Sequence, residues 1–220
     1  MIKGVIFDLD GTLLNTLADL HNITNKTLEA FGYPPRSMDE VEGFVGNGAR
    51  KLIQRALPEG LDLSSDEFEK IYEVMHGNYF KYQNQLAEVY EGMPELLKEL
   101  KARGIRTAIV TNKPHDAAEE ILHKYFEGLI ELSQGAQDDL PAKPHPASCF
   151  RVLDAFGLQP EECIYVGDSD TDIDTAKNAG MLPVSVTWGF RRKAFLEAHG
   201  AVCFAEKPSD LLRFIDGEPG

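Results

Sequence analysis

Positive charge is scarce in this chain. Its 220 residues carry 22 Lys and Arg against 36 Asp and Glu, a formal net charge of −14. A field of that sign repels phosphate backbones and anionic lipid, so neither nucleic acid nor membrane is expected as a partner. An anionic ligand must then be held by a few local cations or a metal. Long apolar runs are missing too: none approaches the ~20 residues of a membrane span. The opening residues run straight into a strand carrying Asp8, unlike a secretory signal. Cysteine is limited to Cys149, Cys163 and Cys203, an odd number without metal-ligand spacing and each in an apolar context. They read as buried thiols of a reducing, cytoplasmic protein, not as disulfides or a catalytic thiol.

What is present suits a globular protein. Hydrophobic residues make up 43% of the chain, an ordinary share. A chain of this length buries roughly 70% of its unfolded surface, enough for one large domain or one domain with an insert.

The most informative stretch runs from Lys3 to Thr12. Val5, Ile6 and Phe7 form an uncharged β-branched and aromatic run, the mark of a strand buried on both faces. Asp8 and Asp10 follow, one residue apart, and Gly11 opens a loop. A carboxylate at the end of a buried strand loses hydration, and two so close raise each other's pKa. A bound cation would relieve both problems. The plainer alternative is a strand end entering a turn, where Asp and Gly are common.

Beyond Thr12 the apolar period becomes helical through Leu14, Leu17, Leu20, Ile23, Leu28 and Phe31, stopped by Gly32-Tyr33-Pro34-Pro35. Ser37 with Glu40 predicts a capped short helix. Ala49, Leu52, Ile53 and Leu57 line another, and Ser64 or Ser65 caps a long one through Phe68, Ile71, Met75 and Tyr79. From about Leu14 to Gln85 the pattern is helical throughout, with no strand. From Glu88 strands and helices alternate. Strands are expected at Arg106–Val110, Gly128–Leu132, Cys163–Val166, Leu182–Val186 and Ala201–Phe204. Helices are expected from Met93 toward Gly104, after Pro114, from Pro146 or Ala147 to Phe156, up to Ala179, and from Pro208. Alternation of this kind predicts an α/β fold with a doubly wound parallel sheet. The expected division is a core of residues 1–14 and 86–220 with an inserted all-helical domain of residues 15–85. In such sheets ligands sit beyond the carboxyl ends of the strands. Three strands finish in polar groups there: Asp8 and Asp10, Thr111 and Asn112, and Asp168 with Asp170 and Asp172.

Taken together, Asp8-Leu9-Asp10-Gly11-Thr12, Thr111-Asn112, Lys143-Pro144 and Gly167-Asp168-Ser169-Asp170-Thr171-Asp172 resemble the four ordered motifs of the haloacid dehalogenase-like phosphohydrolases. The resemblance covers essentially the whole chain. It implies a Rossmann-like core, a helical cap formed by the insert, and a magnesium-dependent phosphatase acting on a small phosphorylated metabolite. Asp8 would attack phosphorus and form an aspartyl-phosphate. Asp10, on the same side of the extended chain, would protonate the leaving oxygen and then take a proton from water. The resemblance implies Mg2+ held by the Asp8 carboxylate, the Asp10 main-chain carbonyl and Asp168. It places Thr111 and the Asn112 amide on phosphoryl oxygens, Lys143 as neutralising charge, and Thr12 and Asp172 in support. Asp170 and Asp174 read as helix-start acids favoured by the dipole, and His115 and His145 as loop or helix-start residues.

Within the family, Thr111-Asn112-Lys113-Pro114 and Phe44-Val45-Gly46-Asn47-Gly48-Ala49-Arg50 resemble the phosphoglycolate phosphatase group. Arg50 is the candidate for a distal anion of the substrate; an exposed helix arginine is the alternative. Asn15 departs from a position that is often Asp, outside the chemistry. Pyrophosphate hydrolysis and a sugar phosphomutase of the β-phosphoglucomutase type are the alternatives. The mutases usually carry Ser-Ala where this chain has Thr111-Asn112. Asp10 argues against a dehalogenase, whose leaving group needs no proton, and the filled catalytic positions argue against a purely binding domain. The expected assembly is a monomer or a homodimer.

Overall fold

The computed structural model describes residues 1–62 and 64–217. The chain divides into two compact units, Met1–Leu14 with Val89–Gly220, and Asn15–Glu88. In order, β1 (Gly4–Phe7) and the short β2 (Leu14–Asn15) precede α1 (Leu17–Ala30), α2 (Met38–Phe44), α3 (Gly48–Ala56) and α4 (Asp66–Tyr82). The chain returns through β3 (Glu88–Val89), which pairs with β2 in a two-stranded ribbon. Then come α5 (Met93–Ala102), β4 (Arg106–Pro114), α6 (His115–Tyr125), β5 (Leu132–Ala136), α7 (Ala147–Phe156) and β6 (Cys163–Gly167). The last elements are α8 (Asp170–Ala179), β7 (Leu182–Val186), α9 (Lys193–Ala198), β8 (Phe204–Ala205) and α10 (Leu211–Ile215).

Among the described residues, six strands form one sheet in the order β5-β4-β1-β6-β7-β8, with every pairing parallel. This is the doubly wound α/β sheet that the alternating pattern predicts. From β1 the chain first builds outward to β4 and β5, then crosses back and builds β6, β7 and β8 on the other side. The reversal occurs beside β1, and α/β sheets bind ligands at the carboxyl ends of the strands at such a point. Phe7 lies in register with Ile109 of β4 and Val166 of β6, so the three polar strand ends are neighbours.

The period-2 alternation of β1 divides the core into two layers. Val5 and Phe7 pack on one face with Leu97 of α5, Ile121 of α6 and Phe214 of α10. Ile6 packs on the other with Val152 and Phe156 of α7 and Ala176 of α8. All four residues of β1 are buried, which is why the strand reads as a continuous apolar run.

Within the helical unit, α1 packs against α4. The Asn78 amide donates to Thr27 Oγ1 at 3.0 Å across that contact. Ser37 and Glu40 form the expected capping box on α2, and Ser65 caps α4 by accepting from the Phe68 amide. Arg36 ties the unit together by donating to the Ala56 carbonyl at 2.7 Å.

Several elements differ from the sequence reading. β4 does not stop at Val110 but runs through Thr111, Asn112 and Lys113 to Pro114. Its register with β5 shifts between Val110 and Pro114, so polar residues continue a strand whose apolar signal has ended. The expected strand at Gly128–Leu132 is a turn: Leu129 and Ile130 both donate back to the Phe126 carbonyl. Ile130 is buried there, and the strand follows as the largely polar Leu132–Ala136. Ala201 is likewise a buried loop residue ahead of β8. Pro208 opens a single 3-10 turn before α10. Helix α9 has no sequence forecast because only Leu196 of its six residues is buried. Cys149 and Cys163 are buried, but Cys203 is only half-buried.

The β4–β5 approach leaves no room for a side chain at Gly135. A Cβ there would lie 2.5 Å from His115 Cα and 2.8 Å from the Lys113 carbonyl oxygen, both unyielding backbone atoms. Gly135→Ala is expected to destabilise the protein by about 1–3 kcal/mol, as overpacking does. Chemical denaturation of the two proteins checks it, and an unchanged midpoint refutes it.

Candidate active site

The site is built at the end of β1. Asp8 is the first residue past the strand, and its amide donates to the Val166 carbonyl at 2.8 Å, which continues the ladder to β6. Gly11 turns the chain with φ +84°. A Cβ at Gly11 would meet Asp168 Oδ2 at 2.4 Å, so the absence of a side chain lets Asp168 approach the turn.

Lys143 sits at the centre of the cluster, fully enclosed. Its Nζ donates to Asp172 Oδ1 at 2.7 Å, to the Tyr165 hydroxyl at 3.0 Å and to the Val110 carbonyl at 3.2 Å. It also lies 2.9 Å from Asp8 Oδ1, an ion-pair contact outside hydrogen-bond alignment. Asp172 is held in turn: its Oδ2 accepts from the Ser169 hydroxyl at 2.6 Å and the Ser169 amide at 3.1 Å. The Asn112 side chain clasps the main chain of Lys143, accepting from its amide at 2.8 Å and donating to its carbonyl at 3.2 Å. Asn112 therefore fixes Lys143, and both ends of its side-chain amide are engaged in doing so. Thr111 is buried beside it, and its hydroxyl accepts from the Lys113 amide at 3.2 Å.

Asp168 follows β6. Its Oδ2 accepts from the Phe190 amide at 2.7 Å, and the Thr12 hydroxyl reaches its Oδ1 at 3.5 Å. The Trp188 indole donates to the Thr12 carbonyl at 3.0 Å, tying the loop after β7 to the turn after β1. The second acid of the first motif points elsewhere. Asp10 pairs with Lys113, whose Nζ lies 3.0 Å from Oδ1 and 3.3 Å from Oδ2. Arg50 lies in the helical unit, ion-paired with Glu69 and 4.9 Å above the rings of both Phe68 and Tyr72. His145 Nδ1 accepts from the Ala147 amide at the start of α7, and His115 Nδ1 from the Gly135 amide.

Sequence reasoning assigned no task to Lys113, Tyr165, Ser169 or the Trp188–Phe190 loop. Lys113 could have been found as a lone charge next to a buried strand. Ser169 stands three residues before Asp172, the spacing of a capping box. Tyr165 and the Trp188–Phe190 loop leave no signal, because their partners Val110, Lys143, Thr12 and Asp168 lie far away along the chain.

The electrostatics follow from burial. Desolvation, reinforced by the charge of Asp172 and opposed by Lys143, pushes Asp8 from the ordinary 3.8 up to about 7. Desolvation and the charges of Asp172 and Asp8 push Asp168 well above 3.8, against the Phe190 amide. Burial alone would lower Lys143, but Asp172 and Asp8 outweigh it and hold the ammonium well above its ordinary value. Burial pushes the Cys149 and Cys163 thiols up to about 12, so neither is a ready nucleophile.

Oxygens of Asp8, Asp168 and Asp172 lie within 4.8 Å of one another, and all three residues are buried. Asp8 Oδ1 has no hydrogen-bond donor. An all-oxygen donor set of buried carboxylates, with Asp8 Oδ1 engaged only by its ion-pair contact with Lys143, suits a hard divalent cation. Asp172 is already saturated by Lys143 and Ser169, so Asp8 and Asp168 are the carboxylates with capacity to spare. The Asp10 carboxylate lies outside this cluster, on Lys113.

A carboxyl whose pKa is raised on folding binds more protons in the native state than in the unfolded one. Between pH 3.8 and about 7, Asp8 therefore makes the metal-free protein less stable as pH rises. Thermal unfolding in chelator is expected to show that fall, and millimolar Mg2+ to reverse it near pH 7 by binding only the native state. Cation-independent unfolding at both ends of the range would refute the site.

The family model described as haloacid dehalogenase-like hydrolase matches residues 5–186. A phosphoglycolate phosphatase of Vibrio parahaemolyticus is 34% identical over 219 residues, spanning 97% of this chain and 96% of the relative. One from Cereibacter sphaeroides is 36% identical over 227 residues, spanning 97% and 99%. The crystal structure of a "predicted phosphoglycolate phosphatase" from Haemophilus somnus 129pt superposes with a TM-score of 0.88 at 32% identity, covering 97% of this chain and 98% of that one. With a parallel sheet, a buried aspartate cluster and a lysine set between its carboxylates, the chain belongs to the haloacid dehalogenase-like hydrolases and is a phosphatase of that family.

Proposed function

We propose that the protein hydrolyses 2-phosphoglycolate, with Mg2+, through an aspartyl-phosphate on Asp8. The observation that carries the chemistry is the buried Asp8 carboxylate whose Oδ1 meets the enclosed Lys143 ammonium at 2.9 Å. The substrate rests on the relatives named phosphoglycolate phosphatase, two of which are 34% and 36% identical to this chain over nearly their whole length. In the first half-reaction an Asp8 oxygen bonds to phosphorus as the bond to the leaving oxygen breaks. Asp10 gives that oxygen its proton. In the second, water attacks the aspartyl-phosphate, its proton passes to Asp10, and the Asp8 carboxylate is restored as phosphate departs. Lys143 offsets negative charge between Asp8 and the phosphoryl group, and Thr111 is its hydroxyl contact. Asp8, Asp168 and the Asp10 main-chain carbonyl are the proposed Mg2+ ligands; bound there, the ion supplies charge neutralisation for the phosphoryl oxygens.

The helical unit Asn15–Glu88 is the proposed cap that selects the substrate. Arg50 is its proposed carboxylate anchor, and it would exchange Glu69 for the substrate's own carboxylate.

Phosphate release is to be measured with and without Mg2+ on 2-phosphoglycolate, pyrophosphate, hexose and pentose phosphates and nucleoside monophosphates. Asp8→Asn is expected to abolish turnover and Asp10→Asn to lower it about 10²–10⁴-fold. Arg50→Ala is expected to raise KM for 2-phosphoglycolate and leave KM for pyrophosphate unmoved. Full turnover by folded Asp8→Asn would end the mechanism. A flat substrate profile would end the substrate assignment alone.

A further inference from the structure

The Asp10–Lys113 pair lies apart from the Asp8–Lys143–Asp172 cluster, and nothing above gives Lys113 work. We propose that Lys113 is the positioning residue for Asp10, aiming its carboxyl group at the leaving oxygen. The inference rests on the acid–base role proposed for Asp10.

Three observations support it. First, the ammonium spans both carboxylate oxygens, at 3.0 and 3.3 Å, and so restrains the rotation that would swing them away. Second, the pair is enclosed: the side chains of Lys113 and Asp10 are 2% and 14% exposed. A lysine is seldom buried to that degree unless paired, and exposed pairs, which contribute little, are no guide to this one. Third, Lys113 is anchored at its own backbone. Its amide donates to Thr111 Oγ1 at 3.2 Å, and its carbonyl lies where β5 passes so closely that Gly135 cannot carry a Cβ. The shifted register between Val110 and Pro114 is local to this point.

Each of the two reacting carboxylates thus faces an ammonium: Asp8 faces Lys143, shared with Asp172, and Asp10 faces Lys113. Lys113 gives up no proton. The proton that reaches the leaving oxygen comes from Asp10, and the one lost by water in the second step returns there. What Lys113 contributes is direction, and a misplacement of about 1 Å costs on the order of 10²-fold in rate.

The test uses leaving groups of different need. Lys113→Met, Asp10→Asn and the double variant are assayed with Mg2+ on the best alkyl phosphate of the panel and on p-nitrophenyl phosphate, whose phenolate departs with little protonation. Lys113→Met is expected to lose about 10–10²-fold in kcat on the alkyl phosphate, with KM within about 3-fold and a loss under about 3-fold on the aryl ester. In the Asp10→Asn background it should cost nothing further. The double variant removes both charges, so it tests the inference even where the single variant leaves Asp10 unpaired and folds poorly. Equal losses on both esters, unchanged kcat, or an additive loss in the double variant would overturn the role of Lys113. If Asp10→Asn itself fails to discriminate between the esters, the acid–base reading falls and this inference with it. If Asp10→Asn discriminates and Lys113→Met does not, the reading stands and only the inference falls.

Discussion

Asp8 follows directly on a strand that has no solvent on either face, and the burial of its carboxylate dictates what surrounds it. Ordinary desolvation would protonate such a group, and here it pushes the pKa to about 7. Lys143 opposes the shift but is shared with Asp172, so one ammonium faces two acids within 2.9 Å. The neighbours then serve to hold that lysine still. Tyr165 and the Val110 carbonyl take its remaining hydrogen bonds, Asn112 grips its main chain from both sides, and Ser169 restrains Asp172. A flexible side chain has become a fixed point charge through contacts from β4, β6 and the start of α8.

The arrangement remains negative. Asp8, Asp10, Asp168 and Asp172 face two ammonium groups, Lys113 and Lys143, in a region that water barely reaches. Low effective dielectric strengthens both the attractions and the residual repulsion. A divalent cation at the Asp8–Asp168 oxygens balances the count, which is why the proposed cofactor and the raised carboxylate pKa values are one argument seen from two sides. The chain's overall negative charge is no obstacle to an anionic substrate, since attraction at the site is local.

Legibility followed burial pattern. The strands Cys163–Gly167 and Leu182–Val186 were readable because each is an apolar run between turn residues. β5 was not, because Ser133 and Gln134 are polar yet buried, and Ser133 has its partner in Glu119 on α6. The end of β4 was hidden for the same reason: Thr111, Asn112 and Lys113 are buried polar residues, and the partners of Asn112 and Lys113 are Lys143 in the loop before α7 and Asp10 in the turn after β1. The short α9 buries only Leu196, which is too little for a period to show. Of the candidate site residues, Asp8, Asp168, Asp172, Lys143, Thr111 and Asn112 gather at one end of the sheet. Asp10 turns to Lys113, and Arg50 belongs to the helical unit.

The sequence by itself determined the parallel doubly wound sheet, the polar ends of β1, β4 and β6, and the family, because apolar periodicity and motif order are local properties of the chain. Tertiary structure alone decided which charge meets which. That Asn112 clasps Lys143, that Lys143 stands between Asp8 and Asp172, and that Asp10 takes Lys113 depend on strand order, which sets β1 between β4 and β6. Residues separated by 31 positions in one case and 103 in another meet only when the fold brings the end of β4 beside the turn after β1 and the loop before α7.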